Sequence, residues 1–183
     1  MDSMFHFVFP LIVALAAKVH LKHGLEWVIG LSLATVLMDL DVFMVHRATL
    51  HNLFVVVLIP VIFFLIALKY EKRGSKYKTL SLVLLLFLFS HTLLDMGTEA
   101  GVQLFYPLSS EVYQFNWGIS VGLPPGQGYL ISGLGISLLM YFFVLLLVLF
   151  VEDFVKYLAK DKSVEKAFNE TMIKEKRRIR KEL

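Results

Sequence analysis

Five long apolar stretches constrain this chain more than any other feature of its sequence. With charged and turn-forming residues as boundaries, they cover residues 4–21, 25–43, 50–68, 79–96 and 129–151. One bilayer crossing needs about 20 mostly apolar residues, so each stretch is long enough to span a membrane. We therefore predict an all-α fold: a polytopic bundle of about five transmembrane helices over residues 1–151, followed by a charged amphipathic helix or tail over 152–183.

The composition excludes several other classes of protein. Hydrophobic residues make up 57% of the 183 residues and charged residues only 18%, unlike a soluble globular domain. Five spans leave no room for a separate soluble domain. The chain has no cysteine, which excludes disulfides, thiolate metal sites and cysteine nucleophiles, so any metal must be bound by His, Asp or Glu.

The distribution of Lys and Arg predicts how the bundle is oriented. The loop between the third and fourth stretches carries one acidic residue, Glu71, and five basic ones: Lys69, Lys72, Arg73, Lys76 and Lys78. The C-terminal segment is also rich in Lys and Arg, whereas residues 98–127 contain neither. The positive-inside rule then places the C-terminus in the cytoplasm and the 98–127 loop on the outer side.

Ionisable residues inside apolar stretches are costly and are therefore candidates for a functional site. In this chain they come from four separated segments, and the predicted topology brings them all to the outer membrane level: His6, Asp39, Asp41, His46, His51, His91 and Asp95. His and Asp together favour Zn²⁺, with Mn²⁺ or Fe²⁺ as alternatives. Seven ligands exceed the need of one tetrahedral ion, so both one and two ions remain open.

Spacing refines this interpretation. His91 and Asp95 are four residues apart and share one face of a helix, where they either bind metal or form a buried hydrogen-bonded pair. Asp39 and Asp41 lie about 200° apart on a continuous helix, so either the helix ends between them or one acts through a neighbour. The alternative for His6 and for His51 is that each is an interfacial or hydrogen-bonded histidine that binds no metal. His20 and His23, in the inner loop, are predicted to be solvated.

Separated blocks of sequence resemble small prokaryotic membrane-bound metal-dependent hydrolases, some of which are SOS-regulated inner-membrane proteins, and the resemblance implies the inner membrane of a prokaryote. That family's pattern is an early His, P-D-x-D-H, H-R-x-x-[ST]-H-S, H-x-x-x-D, T-x-x-G-V and an aromatic-Pro pair. The corresponding blocks here are His6, 38–42 (MDLDV), 46–52 (HRATLHN), 91–95 (HTLLD), 98–102 (TEAGV) and Tyr106-Pro107. Departures from the pattern include Met38, Val42 and Asn52, and Val42 removes one ligand that the pattern would supply.

The resemblance implies metal-dependent hydrolysis, and a weaker similarity to zinc-dependent phospholipases C and single-strand nucleases suggests a phosphodiester substrate. We predict a phosphoesterase that acts on membrane lipids through a metal-activated water, with Asp39 or Asp41 as base and Arg47 stabilising the phosphate. Headgroup anchoring is the alternative role for Arg47. An acyl ester or amide substrate also remains open, because an activated water attacks carbonyl carbon too.

Two other functions are weighed against this one. A non-catalytic metal-binding or metal-transporting protein needs ionisable residues along a path across the membrane, and the inner halves of the stretches have none. Nucleic acid is disfavoured as a partner, because Arg47 is the one firm cation of the outer loops. The aromatic, Gly- and Pro-rich loop after residue 98 either covers the site or caps the bundle at the interface.

Overall fold

The computed structural model describes residues 3–71, 75–115, 133–161 and 163–182. Within these ranges the chain forms seven α-helices and one 3-10 helix, and it contains no β-strand. They are α1 (Ser3–Ala16), α2 (Val19–His23), α3 (Leu25–Val36), the 3-10 helix (Leu37–Phe43), α4 (Leu53–Tyr70), α5 (Lys76–Met96), α6 (Gly133–Asp161) and α7 (Val164–Glu182). The predicted all-α membrane-type bundle is confirmed.

Within the described residues, three helices are long and apolar enough to cross a membrane: α4, α5 and the part of α6 from Gly135 to Lys160. The first two apolar stretches, which we predicted to be continuous spans, are each divided into shorter elements. The first stretch is divided after the 14 residues of α1, where Lys18 takes a left-handed conformation with φ 57°. The second is divided between the 12 residues of α3 and the 3-10 helix that contains both aspartates.

Helix α5 lies at the centre of the bundle. It packs against α3, α4 and α6, while α1 packs against α3 and α6. Val83, Phe87 and Leu94 of α5 are fully buried in the apolar core. By contrast, α4 exposes large apolar side chains such as Phe63 and Leu65, as expected for a surface that faces lipid.

The C-terminal helices form an antiparallel pair. Helix α6 continues without a break past residue 151, where we predicted the membrane part to end, and reaches Asp161. Helix α7 folds back on it, with the ring of Phe168 5.8 Å from that of Phe150 and Lys174 Nζ 2.5 Å from Asp153 Oδ1. The predicted C-terminal helix is therefore present, and it packs on α6.

The segment after α5 is tied to the segment before α4. The backbone of Val102 pairs with that of Tyr113, the amide of Gln103 donates to the carbonyl of Arg47, and the amide of Leu53 donates to the carbonyl of Leu104. These bonds fix the residue 44–53 connection over the end of α5. The remainder of the predicted covering loop, with Trp117 and its Gly and Pro residues, lies outside the described residues.

Candidate metal centre

Four ionisable side chains from three separate elements meet at one end of the bundle. His6 comes from α1, Asp39 from the 3-10 helix, and His91 and Asp95 from α5. One nitrogen or oxygen atom of each lies within 4.8 Å of the corresponding atoms of the others. His6 and His91 are fully buried, Asp95 is 2% exposed and the Asp39 side chain is 20% exposed, so the cluster is most accessible on the side of Asp39.

The two residues of α5 have the geometry that their spacing predicts. His91 Nε2 lies 3.4 Å from Asp95 Oδ2. The other oxygen of Asp95 lies 3.3 Å from His6 Nε2, and the His6 ring stacks on the His91 ring at a centroid distance of 3.7 Å. Asp95 therefore joins α1 to α5 within the cluster.

A fifth side chain, His51, reaches the same cluster from the segment before α4. Its Nε2 atom lies 2.9 Å from His91 Nε2, 3.0 Å from Asp95 Oδ2 and 3.7 Å from Asp39 Oδ1. The side chain is fully buried. A lone interfacial role for His51 is thus not what the structure shows.

Asp41 contacts the cluster through histidine rather than directly. Successive residues of a 3-10 helix are about 120° apart, so Asp39 and Asp41 point in different directions. The Asp41 carboxylate accepts hydrogen bonds from His51 Nδ1 at 2.7 Å, from His46 Nδ1 at 3.0 Å and from the amide of Leu50 at 3.4 Å. In a neutral His51 whose Nδ1 donates to Asp41, Nε2 would present a lone pair to the cluster.

His46 lies farther out than the other predicted ligands. Its side chain is 50% exposed, its ring centroid is 6.4 Å from that of His51, and Nδ1 is engaged by Asp41. Among the seven predicted ligands, the structure thus gathers four within 4.8 Å of one another, brings His51 against three of these four, and places Asp41 and His46 beside them.

Arg47 is held against the cluster rather than directed toward the membrane surface. Its guanidinium donates to Thr98 Oγ1 at 2.5 Å and to the carbonyl of Gly101 at 3.5 Å, and it lies 3.6 Å from Asp95 Oδ1. Thr98 in turn donates to the carbonyl of Asp95. The Thr and Gly of the T-x-x-G-V block therefore fix the guanidinium beside the carboxylate.

A proline explains how α1 is fixed at the site. Pro10 has no N–H, so the carbonyl of His6, four residues earlier, lacks its usual donor within the helix. The buried hydroxyl of Thr35 on α3 lies 2.5 Å from this carbonyl and donates to it. The hydrogen bond that α1 lacks is thus replaced by one between α1 and α3, at the backbone of His6 itself.

The side chains fit a divalent cation. Nε2 of His51 and of His91 lie next to each other and next to the oxygens of Asp39 and Asp95, so lone pairs and negative charge converge on one point. Such an arrangement is stabilised only by positive charge between the groups, either a proton or a metal ion. Imidazole nitrogen and carboxylate oxygen are ligands that several divalent cations accept, Zn²⁺, Mn²⁺ and Fe²⁺ among them.

The histidines at the opposite end do not join a comparable cluster among the described residues. The prediction that they are solvated was wrong for three of their four ring nitrogens: both nitrogens of His23 and Nδ1 of His20 are buried without a hydrogen-bond partner in the described part of the chain. Burial lowers the pKa of His23 below its ordinary value of 6.5. A neutral ring is therefore favoured there, since removing a charge from water is costly.

Two positioning residues, Thr35 and Thr98, were missed by the sequence analysis. Thr98 lay within a quoted motif, whose role became visible only through its contact with Arg47. Thr35 has no motif, and the one signal for it was the unpaired carbonyl that Pro10 implies. Val42, which replaces a histidine of the family pattern, is 58% exposed, so this departure lies outside the buried cluster.

Comparison with known proteins agrees with the membrane fold. The family model described as YdjM inner membrane protein matches residues 1–157, and the chain belongs to that family. The match covers α1 to α5 and nearly all of α6, and thus every residue of the cluster. No curated protein and no solved structure matches the chain.

Proposed function

We propose that this YdjM-family inner membrane protein is a metal-dependent hydrolase that cleaves a phosphoester bond of a membrane lipid. One observation carries the proposal: a buried cluster of His and Asp side chains lies beside a fixed arginine at one end of an apolar helix bundle. Buried ionisable groups in a membrane protein are costly and indicate function. A divalent cation and an arginine each stabilise a phosphate group, and this cluster would hold the first beside the second.

His6, Asp39, His91 and Asp95 would hold the metal, with His51 as a fifth ligand. A divalent cation in such a site supplies a Lewis acid and lowers the pKa of a water molecule enough to make it a nucleophile at neutral pH. Asp95 is enclosed by His6, His51 and His91, so we assign it as a metal ligand and not as the base. Asp39 is the most exposed of the four, and we assign it to the open side, as a ligand or as the base that accepts the proton of the attacking water.

Asp41 acts as a positioning residue in this proposal. It holds two imidazoles at once, one that faces the cluster and one that faces solvent. His46, which is half-exposed and oriented by a buried carboxylate, is suited to pass a proton between the site and the surroundings. This assigns His46 to proton transfer rather than to direct metal binding.

Arg47 is assigned to the phosphate. Its planar guanidinium can donate two parallel hydrogen bonds to phosphate oxygens, and the bonds to Thr98 and Gly101 set its orientation before a substrate arrives. Negative charge that develops on the phosphate in the transition state would be stabilised by a group that does not need to move.

A lipid is favoured over a soluble substrate by the apolar surface around the cluster. The 3-10 helix that carries Asp39 exposes Leu40 and Phe43, and Met44 and Val45 follow directly after it. Large apolar side chains next to an ionisable site fit a substrate with acyl chains beside its phosphate. With the basic loop 69–78 in the cytoplasm, the site faces the outer leaflet.

A second candidate function is metal binding without catalysis. The burial of four of the five clustered side chains supports a structural ion that joins α1, the 3-10 helix and α5. The same site would then bind metal but release nothing from any lipid. Transport is less supported, because the described ionisable groups that could hold a metal gather at one end only.

Two measurements on the detergent-purified full-length chain test the proposal. Metal content per chain should be one or two Zn²⁺ or Mn²⁺, and incubation of the metal-loaded protein with a panel of phospholipids, lipid phosphates and isoprenoid phosphates should release phosphate or a phosphorylated headgroup. Bound metal without release from any lipid would favour the structural alternative. No bound metal after reconstitution with each candidate ion would overturn both.

A further inference from the structure

A second feature of the bundle lies at the other end of α5, where the chain forms an open groove. Its volume is about 570 Å³, within the range of small-molecule sites. Both α3 and α4 pack on α5, and the groove runs between them. Its floor is buried and apolar, made by Leu31, Ala67 and Leu80, and its sides include Phe63 and Ile66.

Two polar side chains along the groove, Ser81 and Glu71, are already engaged within the protein. Ser81 Oγ donates to the carbonyl of Tyr77 at 2.7 Å. The Glu71 carboxylate accepts hydrogen bonds from the amides of Tyr77 and Lys78, where it caps the start of α5. A polar ligand would therefore find few partners inside the groove, whereas a hydrocarbon chain would lose nothing by entering it.

The end of the groove is aromatic and cationic. Trp27, Tyr70 and Tyr77 lie in the terminal turns of their helices, as expected of side chains at a membrane interface. Lys76 Nζ is 5.0 Å from the Trp27 ring and 5.7 Å from the Tyr77 ring. No carboxylate among the described residues lies within 4.0 Å of Lys76 Nζ, in contrast to Lys22, which is paired with Glu152.

We propose that this groove binds one acyl chain of an anionic phospholipid, with the lipid phosphate beside Lys76. The apolar floor of the groove would contact the acyl chain, and the aromatic rings would lie at the level where chain and headgroup meet. The ammonium group of Lys76 would then lie beside the phosphate. The positive charge of the loop selects an anionic headgroup over a zwitterionic one. A partner helix is disfavoured as occupant, because its diameter of about 10 Å exceeds what a groove of this volume admits.

This lipid site is separate from the candidate metal centre. Tyr77 and Asp95 are separated by 18 residues of one helix, which is about 27 Å at 1.5 Å per residue. The groove therefore opens toward the opposite leaflet. A lipid bound there is a resident of the bundle rather than the substrate of the cluster, and the inference does not depend on the proposed hydrolysis.

Fluorescence of Trp27 provides the test. The full-length chain carrying Trp117→Phe, so that Trp27 is the one tryptophan, is titrated in detergent with phosphatidylglycerol and separately with phosphatidylcholine, both with brominated acyl chains that quench indole. We expect phosphatidylglycerol to quench Trp27 at concentrations about five-fold lower or more. Native mass spectrometry should show one phosphatidylglycerol retained per chain.

Five variants complete the design. Lys76→Gln should remove the preference for phosphatidylglycerol, whereas Lys76→Arg should keep it, and Lys156→Gln, which removes an exposed charge from α6, should change nothing. Ala67→Leu, which fills the floor, should weaken quenching by both lipids, and Ile62→Leu on the same helix should not.

Equal quenching of Trp27 by the two lipids would overturn the proposal. So would a preference that survives Lys76→Gln, or a stable dimer in which Trp27 is shielded from both lipids, because a second copy of the chain would then be the occupant.

Discussion

The two ends of α5 place their ionisable side chains in different surroundings. At its C-terminal end, His91 and Asp95 are buried among ionisable groups from α1 and the 3-10 helix. At its N-terminal end, Lys76 and Tyr77 lie at the surface beside aromatic rings. Breaking a buried charged pair typically costs about 3–5 kcal/mol, and breaking an exposed one about 0–1 kcal/mol, so substitutions at the two ends should differ in size.

The largest effect is expected from His91→Ala. This change removes a central ligand and leaves Asp95 buried with less positive charge around it, so bound metal and any lipid hydrolysis should both be lost. Metal content by mass spectrometry on the purified chain measures the first. His23→Ala, at the opposite end, should retain both, and full metal retention by His91→Ala would refute the ligand set.

Arg47→Gln should separate catalysis from metal binding. Loss of one fixed group that stabilises transition-state charge typically lowers kcat by about 10²–10³, while the four clustered ligands remain. We therefore expect normal metal content with strongly reduced lipid hydrolysis. Thr98→Val, which removes one of the bonds that orient the guanidinium, should lower kcat less. A loss of metal in Arg47→Gln would assign Arg47 to the stability of the cluster instead.

Asp41→Asn should lower the affinity of the site for the metal without abolishing metal binding. The amide no longer holds two imidazoles in the orientation that a carboxylate imposes, and loss of such a contact typically costs about 10–100-fold in metal affinity. Competition with a chelator measures the change, and Glu111→Gln serves as the exposed carboxylate control. Complete loss of metal would indicate that Asp41 is itself a ligand.

At the N-terminal end of α5, Glu71→Ala should lower the free energy of unfolding by about 1 kcal/mol, which is typical for the loss of a helix cap. The carboxylate that receives the amides of Tyr77 and Lys78 is gone, whereas Glu71→Gln keeps an oxygen that can accept them. Thermal unfolding in detergent should rank wild type, Glu71→Gln and Glu71→Ala in that order. Metal content should stay unchanged in both variants, because the cluster is at the other end of α5.

The smallest expected effect is a pH dependence from His23. Because burial lowers its pKa in the folded chain, the unfolded chain binds the proton more readily. The contribution of His23 to the free energy of unfolding is therefore fully present above about pH 6.5 and decreases as the pH falls below that value. The charged neighbours of His23 are Glu152, Lys76, Lys22 and Glu71, and His23→Gln should reduce the slope of melting temperature between pH 7 and 5. An unchanged slope would place the titrating group elsewhere.

Much of the site followed from spacing and topology. His91 and Asp95 had to share a face, because four residues make about one helical turn. His6 and Asp39 were expected at the same level as this pair because each lies near the same end of its apolar stretch. What spacing did not reveal was the division between Asp39, which enters the cluster, and Asp41, which holds His46 and His51, since that division depends on the 3-10 helix.

The sequence by itself determined that this chain is an all-α membrane protein with ionisable residues at one end, because apolar length and charge position are properties of the chain alone. Tertiary structure decided which stretches remain continuous helices, how Thr35 serves the carbonyl freed by Pro10, and how Thr98 holds Arg47. These contacts join residues far apart in the chain, and no local pattern encodes the distance between them. The groove beside Lys76 belongs to the same class, because a space between three helices exists only once they have packed.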